Sequence, residues 1–228
     1  LGGGDGLLIR EVLEYKEIEE IIHIELDQGM LEIASEHPVI SKLNQGSLKN
    51  PRVKTIITDA FHYLRNTKEQ YKSIFIDFPY PKNYNLSKLY STEFYRFVHR
   101  ALAPDGFVVM DAPLYNKVDY NKNKFRGRYM LTSIFTPSHK KNNSIIMSTI
   151  YYSGFTKLFP YKVNEESFLL FSNRKKDYNY KVHEGDLSIF KKVKASDLQQ
   201  ILGQFFPHQI RKNFVNSIFR PLLIHHDF

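Results

Sequence analysis

Apolar residues in the first half of the chain come in short runs that alternate with stretches of helical spacing. Leu7, Leu8, Val12 and Leu13 fall on one helical face of LLIREVLEYK (7–16). IEEIIHIEL (18–26) then reads as a β-branched strand that runs into Glu25-Leu26-Asp27. Met30, Leu31, Ile33 and Ala34 return to helical spacing, and His37-Pro38 marks the end of that helix. VKTIITDA (53–60) predicts a second strand closing on an acid, with the short helix FHYLRN behind it. SIFIDFPYP (73–81) predicts a third, with Asp77 at its end and two prolines that delay the next helix until about Ser91. STEFYRFVHRAL (91–102) is an amphipathic helix closed by Ala103-Pro104-Asp105-Gly106, and GFVVMDAP (106–113) is a fourth strand. Further on, 143–153 predicts a helix, 155–161 and 166–172 a closing strand pair, and 196–205 a last helix before the apolar VNSIFRPLLI.

Strand and helix in alternation argue for βαβ units and a mostly parallel sheet with helices on both faces. Strands buried on both faces carry unbroken apolar runs, which accounts for IFI and FVVM. Ligands of such sheets bind beyond the carboxyl ends of the strands. Asp5, Glu25, Asp59 and Asp77 all fall at those ends. The first of them lies in a glycine-rich turn, LGGGDG, where backbone N–H groups can approach a ligand because no Cβ intervenes. GGGDG is not the GxGxxG dinucleotide fingerprint and is a weak signal alone. With it, Glu25 stands 20 residues past Asp5, where an acid accepts from both ribose hydroxyls, and Asp59 can accept from an adenine amino group. That set fits an adenosyl-sulfonium pocket; the plainer alternative is that Glu25 and Asp59 are helix N-caps. Asp77, with FPYP holding the backbone extended after it, is placed to bind an ammonium group and to orient or deprotonate an amine.

Composition narrows the picture. Apolar content of 42% and aromatic content of 14% over 228 residues fit a globular chain with a substantial core. Zero cysteines exclude a disulfide framework and thiolate metal sites. The nine histidines form no HExxH or other metal-ligand spacing, so they point to no metal site. No apolar run reaches the ~18 residues of a membrane span. Net charge is +8 and uneven: residues 1–113 hold 13 Lys/Arg against 16 Asp/Glu, and 114–182 hold 13 against 4. The basic stretch reads either as a solvated loop or as a patch facing an anionic surface, and no nucleic-acid module accompanies it.

LGGGDGLLIREVL, IHIELD, NPRVKTIITDAF, YKSIFIDFPYP, LYSTEFY and LAPDGFVV, in that order, resemble the motifs of the polyamine aminopropyltransferases, the spermidine synthases. HPVISKLNQGSLKNPRV and VNSIFRPLLI are most similar to the long bacterial branch, in which a multi-pass membrane region precedes the synthase domain. The resemblance implies a Rossmann-like, class I methyltransferase-type α/β domain that binds decarboxylated S-adenosylmethionine as co-substrate, with no prosthetic group and no metal. It implies attack by a diamine nitrogen, usually of putrescine, on the aminopropyl carbon, giving spermidine and methylthioadenosine. On that basis Gly2, Gly3, Gly4, Asp5 and Gly6 lie against the nucleoside, Glu25 binds the ribose, and Asp59 with Ala60 the adenine. Asp5 and Asp77 contact the aminopropyl amine or the reacting nitrogen, and Asp77 is the expected catalytic residue.

Two departures stand out. Where the family has Asp-x-x-Asp-Pro, this chain has Asp77-Phe78-Pro79-Tyr80-Pro81, so a neutral phenol replaces the carboxylate that takes the diamine. The β-hairpin domain and first-strand residues that precede the glycine loop in the family are not in this sequence. The expected layout is a catalytic domain over 1–182, with a basic insertion at 114–141, and an extension over 183–228 packing on it. The expected setting is a cytoplasmic domain of a protein attached to the bacterial inner membrane, forming a homodimer, with a diamine and an adenosyl sulfonium as small-molecule partners and no nucleic acid. Methyl transfer from S-adenosylmethionine and a non-catalytic nucleoside-binding role are the alternatives.

Overall fold

The computed structural model describes residues 1–81, 83–112, 137–163, 166–173 and 210–223. The predicted insertion up to residue 136, the 182/183 boundary and the helix at 196–205 lie outside them. The chain divides into two compact units, Leu1–Glu69 with Phe75–Pro79, and Gln70–Ile74 with Tyr80–Phe228.

The first unit is built around two parallel strands, β1 (Ile21–Glu25) and β2 (Val53–Ile57), paired from Ile21↔Val53 to Glu25↔Ile57. Parallel neighbours need a crossover. Here it is helical: α1 (Leu7–Leu13) precedes β1, and α2 (Gln28–Glu36) and α3 (Pro38–Leu43) connect β1 to β2. The helix expected to stop at His37-Pro38 does stop there, but the same proline starts another. His37 is extended, at φ −67° and ψ 123°, as a residue before proline prefers, and Pro38 takes the first helical position, where its missing N–H costs nothing. Helix α4 (Ala60–Asn66) follows β2. Leu1 and Gly2 extend this framework: Gly2 donates to Ile24 O at 2.9 Å, and Asp77 N donates to Leu1 O at 2.9 Å. Gly2 and Asp77 thus form a parallel bridge.

The second unit holds the sheet β3-β4-β6-β5, to which β3 (Tyr71–Ile76) contributes its residues up to Ile74. β4 (Leu102–Asp111) pairs antiparallel with β6 (Glu166–Ser172), and β6 with β5 (Lys157–Val163), so the predicted closing pair is present as a hairpin. β4 begins four residues earlier than expected, directly after α6 (Thr92–Ala101). A Cβ at Gly106 would lie 2.8 Å from Lys72 O, so only a residue without a side chain lets these two backbones approach. A short helix α5 (Tyr84–Ser87), which the proline argument did not anticipate, forms because Asn83 caps it, accepting from Leu86 N at 3.0 Å. Helix α7 (Pro137–Tyr152) starts six residues before the predicted 143.

Packing in this unit follows the apolar face of α6. Phe94, Tyr95 and Val98 are fully buried with Val108, Met110, Ile150, Phe155 and Phe171. Phe155 meets Phe171 edge to face at 4.7 Å between centroids, and Tyr95 meets Phe171 at 6.0 Å. On its polar side α6 holds the segment 210–223. The Glu93 carboxylate accepts from Ser217 Oγ at 2.7 Å and Ile218 N at 3.1 Å. Partial burial pushes the Glu93 pKa up, but bonds from Ser217, its own backbone, Ile218 and Ser91 outweigh it and leave the pKa lowered from 4.5. A depressed folded-state pKa gives stability that is present above the unfolded value and lost as pH falls through the folded one. Urea unfolding of Glu93→Gln against the parent should therefore show a deficit at pH 7 that shrinks steadily below pH ~4.5. A deficit unchanged with pH would mean the carboxylate charge contributes nothing.

Candidate functional site

The glycine loop takes its form from three left-handed residues, Gly2, Gly3 and Gly6. Gly2 has φ +74°, and a Cβ there would lie 2.1 Å from Asp77 O, so this bridge excludes every side chain. Gly6, at φ 75°, is the N-cap of α1 and carries no side-chain cap; Asp5 Oδ1 instead accepts from Leu7 N at 3.0 Å. From behind, the loop is held by two side chains that sequence reasoning missed. Asn44 Nδ2 donates to Asp5 O at 2.8 Å and to Ala34 O at 2.9 Å, and Ser47 Oγ donates to Gly6 O at 2.7 Å. Their signal was the turn-forming Asn44-Gln45-Gly46, where Gln45 and Gly46 both adopt positive φ.

Carboxylates from two strand ends close on this loop. A Cβ at Gly4 would lie 2.9 Å from Glu25 Oε2 and 3.0 Å from Met30 Cγ, and one at Gly3 would lie 3.2 Å from Asp77 Oδ2. Glu25 is not an N-cap: α2 is capped by Asp27, which accepts from Met30 N at 3.1 Å. Glu25 Oε1 takes the backbone N–H groups of Leu26 (2.7 Å) and Asp27 (2.9 Å), which leaves Oε2 turned toward Gly4. Asp59 is the N-cap of α4, with Oδ1 accepting from Phe61 N at 2.7 Å and His62 N at 3.3 Å, and Ala60 is the buried first residue of that helix. Both stand just past β2, whose end lies beside that of β1, Thr58 N donating to Glu25 O at 2.9 Å.

The predicted residues Gly2 to Gly6, Glu25 and Asp77 are thus brought together in one unit, with Asp59 and Ala60 at the adjoining strand end. Tyr80 belongs to the other unit, where its hydroxyl accepts from Asn142 Nδ2 at 2.8 Å. A loop of close-approach glycines flanked by carboxylates can hold a flat polar ligand with a cationic end: the backbone admits the ligand, and the acids take hydroxyls and positive charge. Among the described residues no three His, Cys, Asp or Glu come together as a metal-ligand set, and no helix is long and apolar enough to cross a membrane.

Comparison with known proteins bears on what that ligand is. The family model of the spermine/spermidine synthase domain matches residues 1–158. Polyamine aminopropyltransferase 1 of Streptomyces coelicolor is 46% identical over 112 residues, 49% of this chain and 21% of that protein. The polyamine aminopropyltransferase of Mycobacterium tuberculosis is 43% identical over 115 residues, 49% of this chain and 22% of that protein. The matched stretch is therefore about a fifth of the length of these relatives. Among solved structures, a spermidine synthase in complex with the transition-state analogue AdoDATO superposes with a TM-score of 0.64 at 20% identity, covering 90% of this chain and 64% of that one. Human methyltransferase-like protein 13 in complex with SAH gives 0.52 at 17% identity, covering 94% and 84%. At these identities the likeness shows the fold, a Rossmann-like α/β domain of the methyltransferase type.

Proposed function

Since the chain belongs to the spermine/spermidine synthase family, we propose that its glycine loop is the floor of an aminopropyl-transfer site using decarboxylated S-adenosylmethionine. The observation that carries the reading is the pair of carboxylates, Glu25 and Asp77, standing against Gly4 and Gly3. In this reading Gly2 to Gly6 lie against the nucleoside, Glu25 Oε2 accepts from the ribose hydroxyls, and Asp59 with Ala60 borders the adenine. Asp5 and Asp77 take the aminopropyl ammonium and the attacking amine. The amine of a diamine attacks the aminopropyl carbon in line with sulfur, the C–N bond forms, and the C–S pair leaves with methylthioadenosine. One amine proton is lost, and Asp77 is the group assigned to accept it. A sulfonium leaves readily, so the work of the residues is to align two cations and keep the attacking nitrogen neutral. Tyr80 is assigned to the acceptor amine by its position in the motif, and a phenol held by Asn142 supplies no full charge there.

Gly4→Ala tests the loop's part in this. The obstructing atoms are side chains able to shift, so the variant should fold and displace Glu25 instead. Its expected effect is a rise of about tenfold in KM for the adenosyl co-substrate, the size of losing about one hydrogen bond to a charged group, with kcat little changed. An unchanged KM would place the ribose elsewhere.

The acceptor is read from a panel of diamines with decarboxylated S-adenosylmethionine. Methylthioadenosine and a longer polyamine are expected. Methylated product from ordinary S-adenosylmethionine would instead make it a methyltransferase. No turnover, with adenosyl ligands still raising the melting temperature, would make it a non-catalytic relative. We assign the whole protein to the cytoplasmic side of the inner membrane, as a membrane-attached homodimer, in keeping with the greater length of its relatives. Fractionation and sedimentation of the full-length protein test that setting.

A further inference from the structure

One buried polar side chain beside the loop has no part in the chemistry above. His23 sits in the middle of β1, 3% exposed. Its Nε2 is 3.1 Å from Gly2 O, and its Nδ1 is 3.3 Å from the hydroxyl of Thr55, the residue opposite it on β2. A carbonyl only accepts, so Nε2 carries the hydrogen and donates. In a neutral imidazole Nδ1 then holds the lone pair, and the Thr55 hydroxyl donates to it. Burial pushes the imidazole below its ordinary range, in keeping with that neutral tautomer. The result is a fixed relay from β2 through β1 to the loop.

Its end point matters because of what Gly2 does. The Gly2 N–H is held by Ile24 O, its φ is +74°, and it bridges Asp77. The remaining freedom is the plane of the Gly2–Gly3 peptide. A trans peptide is rigid, so pinning its carbonyl also sets Gly3, whose Cβ direction faces Asp77 Oδ2. We propose that His23 is a positioning residue for the adenosyl end of the site: through the Gly2 carbonyl it holds the Gly2–Gly3 peptide against Asp77. This rests on reading the loop as the nucleoside floor.

The test compares the intact parent protein with His23→Leu and His23→Gln, measuring methylthioadenosine affinity by calorimetry and steady-state kinetics with decarboxylated S-adenosylmethionine. Leucine matches the imidazole in bulk and bonds to nothing, whereas the glutamine amide offers an N–H at a reach like that of Nε2. Leucine should weaken methylthioadenosine binding and raise KM for the adenosyl co-substrate at least tenfold, with KM for the amine within twofold. Glutamine should recover most of that loss. Thr55→Val, which removes the hydroxyl behind the ring, should weaken nucleoside binding threefold or more and decides the matter should the leucine variant fail to fold. Equal affinities for parent, Leu and Val variants, or Leu and Gln variants weakened alike, would overturn the role. A parent that binds no adenosyl ligand would overturn the reading beneath it, and the role with it.

Discussion

Replacing Asp77 by Asn is expected to lower turnover about a thousandfold, within the range for loss of a general base, while methylthioadenosine binds within about tenfold of the parent. The substitution is close to isosteric. The frame that places Asp77 is main chain, its N–H on Leu1 O and its bridge to Gly2, and survives the exchange. What is lost is negative charge next to Gly3, the charge assigned to hold and deprotonate the attacking amine. Product formation in single-turnover experiments separates this from a binding defect. A variant that retains a tenth of parental turnover would remove Asp77 from the proton-accepting role.

The second large effect concerns stability and lies in the other unit. Asn216 is fully buried, and nearly all its hydrogen-bonding groups are used. Its side chain donates to Ser87 O at 3.1 Å and Tyr90 O at 3.0 Å, and accepts from Leu222 N at 2.7 Å. Its backbone N donates to Thr149 Oγ1 at 2.8 Å, and its carbonyl accepts from Thr92 N at 2.8 Å. One residue thus joins α5, α6, α7 and the segment 210–223. Asn216→Ala leaves two buried carbonyls and one N–H without this partner, and each such group costs ~1–3 kcal/mol. A loss of about 3–5 kcal/mol in urea unfolding is expected, against less than ~0.5 kcal/mol for the exposed Lys212→Ala. A loss under ~1 kcal/mol would mean that water or rearrangement satisfies those groups.

Much of the first unit was legible because its signals are local. Apolar runs marked β1 and β2, acids marked their ends, and four glycines marked a loop that only glycine can make where it meets Asp77. Helices α3 and α5 were not legible as helices, because the residues that stop one helix can start the next: Pro38 does both, and Asn83 caps α5 despite the prolines before it. At the site, two acids at strand ends looked alike in sequence yet differ in the fold. Asp59 is a cap, as the plainer alternative held, whereas α2 is capped by Asp27 and Glu25 is left beside Gly4. Which acid caps depends on the phase at which the next helix starts, a matter of one or two residues that periodicity does not resolve. His23 carried a visible signal, a polar residue within IIHIE, but its partners are 21 and 32 positions away along the chain. Asn142 reaches Tyr80 from 62 positions away, and nothing local announces that bond.

In the proposed reaction the aminopropyl carbon bonded to sulfur moves to nitrogen. That transfer is tested most directly with decarboxylated S-adenosylmethionine labelled in the aminopropyl group, putrescine and the full-length protein, following both products by mass. Labelled spermidine and unlabelled methylthioadenosine are expected in equal amounts, both lost in Asp77→Asn. Label that stays on the nucleoside, or methylthioadenosine released without a labelled polyamine, would contradict it.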